Sequence, residues 1–154
     1  HVDVLFTNEE EAAKVFGIHA HDTDIASGKL SEEGYDDVAR QLLERFGLRY
    51  AVITLRESLS ASVNNWSGMF YDGRQFYHSR KYHIDHIVDR VGGGDAFSGG
   101  FIYGILTGMD PQDTVEFAAA ASCLKHTIQR DFNLVTLDEV MALMRGGGSG
   151  RIQR

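Results

Sequence analysis

Residues 89–101 read Asp89-Arg90-Val91-Gly92-Gly93-Gly94-Asp95-Ala96-Phe97-Ser98-Gly99-Gly100-Phe101. Three consecutive glycines stand between residues 84–88, read as a strand, and an apolar helical pattern of Phe97, Phe101, Ile102, Ile105 and Leu106 that ends near Gly108. Glycines at a strand-to-helix turn let the backbone approach a ligand and turn its amides toward one point. With the positive end of the helix dipole they make an anion site. Asp95, inside that site, is expected to be held ionised by the same amides and dipole. An ionised carboxylate beside an anion hole suits phosphoryl transfer: it orients and deprotonates an attacking hydroxyl while the amides neutralise charge developing on the transferred group. Two other phosphate motifs fail on the letters. A dinucleotide fingerprint starting at Gly92 meets Phe97 at its third glycine, one starting at Gly94 meets Ala96 at its second, and a P-loop needs Gly-Lys where Gly99-Gly100 stands. The bland alternative is a glycine turn that only packs closely, with Asp95 as a helix cap.

Working outward, residues 2–6 form a short apolar run, the pattern of a strand buried on both faces of a parallel sheet. Thr7-Asn8-Glu9-Glu10-Glu11 then supplies helix-start residues, with Thr7 and Glu10 spaced as a capping box; Ala12, Ala13, Val15 and Phe16 give the apolar stripe, and Gly17 the stop. Residues 19–29 read as a polar loop. Ser31-x-x-Gly34 opens a second helix with Val38, Leu42, Leu43 and Phe46 at helical spacing and Gly47 as its stop, and residues 50–55 form the next strand. Asp72-Gly73, amid alternating aromatic and polar residues, predicts a hairpin of two antiparallel strands. Asp110-Pro111 starts a helix carrying Val115, Ala118, Ala119, Ser122 and Cys123, and a last helix covers about residues 137–144. Strands alternating with helices predict a three-layer, Rossmann-like α/β fold, mostly parallel with an antiparallel hairpin. Residues 1–145 are read as one domain and 146–154 as a flexible tail.

A formal net charge of -7 repels polyphosphate backbones, so a nucleic-acid partner is not expected and any phosphate must be held by a local device. Cys123 is the single cysteine, which agrees with a reducing cytoplasm and reads as a small buried hydrophobe. No apolar run approaches the roughly 20 residues that span a bilayer, so no membrane partner is expected. The chain opens on His1 rather than methionine and runs at once into an interior-type strand, which reads as a fragment of a longer protein. His83-Ile84-Asp85-His86 and His19-Ala20-His21 do not make a structural metal site: strand alternation puts His83 and His86 on opposite faces, and no cysteine completes a zinc set.

The stretch from Asp89 to Phe101 resembles the second signature of ribokinase-type (phosphofructokinase-B) carbohydrate kinases, D-T-x-G-A-G-D-x-F-x-G-x-F. Asn8-Glu9-Glu10-Glu11 fits that family's N-x-x-E motif, Val52-Ile53-Thr54-Leu55 its nucleotide-loop strand, and Phe117-Ala118-Ala119-Ala120-Ala121-Ser122 the helix against which adenine lies. Within the family, residues 54–58, the hairpin with Trp66, Lys125-His126-Thr127 and Asp131-Phe132-Asn133 are most similar to 2-keto-3-deoxygluconate kinases.

The resemblance implies the C-terminal, catalytic and ATP-binding part of a ribokinase fold that phosphorylates 2-keto-3-deoxygluconate to its 6-phosphate, with ATP and Mg2+ and, at one further site, K+. Asp95 would be the base and Gly92, Gly93 and Gly94 the anion hole. Asp89 would help hold a monovalent cation, and Arg90 and Asp131 would stand near the sugar acid. Asn8 and Glu11 would position phosphate and magnesium through water, although they equally suit a helix cap and a first-turn acid. Thr54 and Arg56 would border the nucleotide, Arg56 in place of the usual glycine, and Ala119 and Ser122 would line the adenine pocket. Gln129-Arg130 stands where Pro-Gly is expected. In the family the sugar site and lid come mostly from an N-terminal half that precedes a strand like residues 2–6. The rival reading is therefore an inactive piece that only binds nucleotide or self-associates, as a homo-oligomer, through surface meant for that half. A further rival is an unrelated α/β module using the turn for another anion.

Overall fold

The computed structural model describes residues 1–20, 31–60 and 62–146. Most of the expected loop at 19–29, and all of the expected tail after Gly146, lie outside the described residues. In chain order the elements are β1 (Val4–Thr7), α1 (Glu9–Phe16), α2 (Glu32–Phe46), β2 (Tyr50–Ser58), β3 (Asn64–Tyr71), β4 (Phe76–His78), β5 (Tyr82–Ile84), α3 (Gly93–Thr107), α4 (Pro111–Lys125) and α5 (Leu137–Arg145). The fold is α/β with a mixed sheet of order β1-β2-β3-β4, β5 pairing with β3. β1 runs parallel to β2, with Val4 opposite Tyr50 and Thr7 opposite Ile53; β5 runs antiparallel to β3, with Asn64 opposite Ile84. The chain divides into two compact units, His1–Leu55 with Met69–Tyr77, and Arg56–Gly68 with His78–Arg154.

In the first unit, Ala12, Val38, Ala39, Leu42, Ile53 and Met69 form a buried core. The helical spacing of Val38 and Leu42 is what turns that face of α2 inward. β1 departs from the expected strand buried on both faces: Val4, Leu5 and Phe6 are half-buried, because β1 stands last in the sheet order. The expected Thr7–Glu10 capping box is also replaced. Thr7 is held in β1 by its pairing with Ile53, so the cap falls to Asn8, whose Oδ1 accepts from the Glu11 amide at 2.9 Å. At the hairpin, Asp72 Oδ1 accepts from the amides of Arg74 and Gln75 at 2.8 and 2.7 Å, and the Tyr71 and Phe76 rings stack with centroids 4.2 Å apart.

In the second unit the expected strand at 84–88 stops at Ile84. Beyond it the Ile87 amide donates to the Ser62 carbonyl and the Val88 amide to the His126 carbonyl, so loop and helix end hold a segment that has no ladder partner among the described residues. The buried face of α3 is Ala96, Phe97, Gly100, Phe101 and Gly104, whereas Ile102 and Leu106, expected on it, are 47% and 80% exposed. The small residues face α4: a Cβ on Gly100 would stand 2.9 Å from Ala118 Cα, and one on Gly104 2.8 Å from the Thr114 side chain. Helix α4 is buried from Thr114 to Lys125, Cys123 included, and burial pushes that thiol up to about 12. Glu116 on α4 accepts from the Tyr82 hydroxyl and from the Arg80 guanidinium, which also donates to the Met144 carbonyl at the end of α5. Burial, then the bond to Glu116, raises the Tyr82 pKa well above its ordinary value.

Gly100→Ala is expected to lower stability by about 1–3 kcal/mol, because the neighbour is helix backbone that cannot give way. Gly99→Ala, whose added carbon would meet nothing within 4 Å, should be neutral or raise it by up to about 1 kcal/mol. Thermal denaturation of the two variants decides, and equal melting temperatures would refute the packing argument.

Candidate active site

The glycines of the turn differ in what they are for. Gly92 caps α3 with φ +77°, and a Cβ there would meet the Asp131 carbonyl oxygen at 2.5 Å and Lys125 Cε at 3.2 Å. A Cβ at Gly93 would stand 2.9 Å from the His126 ring. Packing and backbone conformation thus account for both positions. Gly94 is different: nothing lies within 4 Å of its absent side chain. The Gly93 amide donates to the Arg90 carbonyl and the Ala96 amide to the Gly92 carbonyl, while the amides of Gly94 and Asp95 carry no hydrogen bond among the described residues. Those two are the orphan donors of a helix start, and they sit where glycine leaves open space.

Asp95 is exposed and lines a pocket of about 530 Å3. Gly92, Ala96, Gly99, Gly100 and Tyr103 continue the wall from α3, Phe117 and Ala121 from α4, residues 131–133 from the following loop, and Leu137 and Val140 from α5. Asp131 is a second carboxylate in this otherwise largely apolar lining. Asp89 lies at the base of the turn, where its two carboxylate oxygens accept from the Val91 amide at 3.0 Å and the Arg130 amide at 2.8 Å. These bonds, the Val91 one first, hold its carboxyl below the usual range. Arg130 adopts a left-handed φ of +66°, a conformation suited to the glycine of the expected Pro-Gly, so the loop is kept without that glycine and Asp131 reaches the pocket.

Arg90, Ala119 and Ser122, expected at the site, are not among the residues that line this pocket. Arg90 is exposed and directs its guanidinium to the Ser60 carbonyl and Asn64 Oδ1, at 3.5 and 3.4 Å. Ala119 and Ser122 are fully buried outside the pocket lining; the Ser122 hydroxyl donates to the Gly93 carbonyl at 2.7 Å, so it holds the turn from behind. Phe117 and Ala121 of the same helix take the lining positions. In the first unit Asn8 caps α1, Glu11 is exposed and lies 3.5 Å from the Thr7 hydroxyl, and the Thr54 hydroxyl reaches the Thr7 carbonyl at 3.5 Å. Arg56 is exposed on β2. His83 is exposed beside Asp85, at 2.7 Å, while His86 lies beyond the end of β5, so strand alternation does not govern that pair. No group of three or more His, Cys, Asp or Glu side chains is placed to hold a metal among the described residues. No described helix is long and apolar enough to cross a membrane.

His126, which the motif comparison carried no role for, buttresses the turn. Its Nδ1 donates to the Ser122 carbonyl at 2.7 Å and its ring packs on Trp66 with centroids 5.0 Å apart. Burial lowers its pKa below the ordinary 6.5.

This chain belongs to the pfkB family of carbohydrate kinases, which residues 1–130 match under the description "pfkB family carbohydrate kinase". Its fold is similar to that of 2-dehydro-3-deoxygluconokinase from Thermotoga maritima, with 47% identity and a TM-score of 0.86 over 94% of this chain and 42% of that one. It is 40% identical over 63 residues to 2-dehydro-3-deoxygalactonokinase from Haloferax volcanii, 41% of this chain and 20% of that protein. Against 5-dehydro-2-deoxygluconokinase from Clostridium perfringens it is 28% identical over 142 residues, 83% of this chain and 39% of the relative. The chain therefore spans about two-fifths or less of the length of these relatives.

Because the His126 pKa is depressed on folding, the unfolded chain takes up a proton at this ring before the folded one does. Its contribution to stability is complete above pH 6.5 and is lost as pH falls from there through the folded value. Melting temperatures measured from pH 8 to 5 should fall more steeply for the wild type than for His126→Gln, and parallel curves would exclude a neutral buried ring.

Proposed function

We propose that the protein carrying this chain transfers the γ-phosphoryl group of ATP to a hydroxyl of 2-keto-3-deoxygluconate, yielding the 6-phosphate. One observation carries the reading: Asp95, which lines a pocket of about 530 Å3, shares the first turn of α3 with the open position at Gly94. ATP supplies the phosphoryl group. The aromatic and apolar wall of Phe117, Ala121, Leu137 and Val140 suits a flat heterocycle, and the helix start suits its phosphates. Asp95 accepts the proton of the attacking hydroxyl, and the amides of Gly94 and Asp95 face the oxygens on which charge develops. Asp131, on the same pocket, hydrogen-bonds the sugar acid. Magnesium keeps most of its shell as water and substrate phosphate, and family resemblance alone supports Glu11 as a residue that would act on it through water. Family resemblance alone supports the roles of Asn8, Thr54 and Arg56 at the nucleotide and of Arg90 at the sugar. The substrate assignment rests on similarity to the Thermotoga maritima enzyme.

A second reading is nucleotide binding without turnover by a chain of this extent, favoured by its spanning 42% of that enzyme. Coupled assays with 2-keto-3-deoxygluconate, 2-keto-3-deoxygalactonate and 5-keto-2-deoxygluconate separate the alternatives, run on this chain and on the full-length protein containing it. Asp95→Asn should cost roughly 10²–10⁴-fold in kcat while preserving the melting temperature and ATP affinity. Full turnover by that variant would remove Asp95 as the base. Heat protection by ATP without turnover of any sugar would leave the second reading standing.

A further inference from the structure

Lys125 closes α4 and is fully buried. Its Nζ donates to the Ile128 carbonyl at 3.1 Å, and no carboxylate lies within ion-pair distance among the described residues. An ammonium has three donors, and burying one against a single neutral acceptor is costly unless negative charge arrives to offset it. The side chain packs against the glycine turn: Cε and Asp131 Oδ1 stand 3.2 and 3.1 Å from the point a Gly92 Cβ would occupy. The charge is therefore held against the turn at Gly92, two residues before the first orphan amide in the chain. Asp89, the residue expected to hold a monovalent cation, accepts one amide on each oxygen, from Val91 and Arg130, and the positive charge already acting on its carboxylate is that of Lys125.

We propose that Lys125 is a resident cation of the phosphoryl-transfer site, offsetting the negative charge that gathers at the turn so that no monovalent metal ion is needed beside Asp89. This rests on the kinase reading. Lys125 does not line the pocket, so it is a positioning residue that acts through its field and through Gly92, in surroundings where a charge is felt more strongly than in water.

The test uses the full-length protein containing this chain, assayed with ATP and 2-keto-3-deoxygluconate in sodium, potassium and ammonium buffers of equal ionic strength. The wild-type rate should be the same in sodium and potassium. Lys125→Met, which keeps the volume, should lower kcat roughly 10- to 100-fold with little change in the sugar KM. Lys125→Ala should recover part of its lost rate in ammonium or potassium, because truncation leaves a cation-sized space; a purely structural lysine would show no such ion-specific rescue. Calorimetry with ATP in an Asp95→Asn background should show about tenfold weaker binding once Lys125→Met is added, a readout independent of turnover. Strong potassium activation of the wild type, or unchanged kcat and ATP affinity in Lys125→Met, would overturn this proposal while leaving the kinase reading intact. Failure of the wild type to bind ATP would overturn both.

Discussion

A methyl group on Gly100 would stand 2.9 Å from the Ala118 backbone, and that close approach of α3 to α4 is the constraint from which the site is built. With the helices this near, α4 can reach the turn that starts α3. Ser122 bonds the Gly93 carbonyl, His126 fills the space where a Gly93 side chain would stand, and Lys125 lies against Gly92. Widening the helix pair by one methylene would withdraw all three supports together. Close-packed interiors yield little, so the turn inherits the rigidity of the two helices.

Polar groups complete what packing begins. Asp89 accepts from amides on both sides of the turn and joins residues 89–91 to the 130–131 loop, stapling two segments 41 residues apart. The left-handed conformation of Arg130 costs about 1 kcal/mol. Its amide bond to a carboxylate, stronger than one between neutral groups, offsets that cost. On the opposite wall, Glu116 gathers Tyr82 and Arg80, and Arg80 fastens the end of α5, whose Leu137 and Val140 face the pocket. The pocket is thus bounded by elements tied at their ends, while its carboxylates, Asp95 and Asp131, carry no hydrogen bond or ion pair among the described residues.

Much of this was legible in the letters. The triple glycine before an apolar helix announced the turn, Asp72-Gly73 the hairpin, and Ser31 and Asp110 the starts of α2 and α4, because each depends on backbone chemistry within a few residues. Errors arose where a distant partner decides. Thr7 lost its capping role to Asn8 because the strand pairing with Ile53 held it. Ile102 and Leu106 faced outward because α4 claims the glycine side of α3, which hydrophobic spacing alone does not rank above the aliphatic side.

The same division runs through the site. Asp95 beside an open glycine follows from local order along the chain, since a strand-to-helix turn places its own amides and its first-turn acid together. Which face of an alanine-rich helix meets the pocket does not follow: Phe117 and Ala121 line it, and Ala119 and Ser122 lie buried outside it, by the rotation of α4 against α3. Phe132, 81% exposed in a polar loop, lines the pocket, which its place in the sequence does not reveal. Lys125 reads on paper as an ordinary cation at a helix end. Only the tertiary structure buries it against the turn, beyond ion-pair distance of any carboxylate among the described residues, because only there do the end of α4, Gly92 and the 131 loop come together.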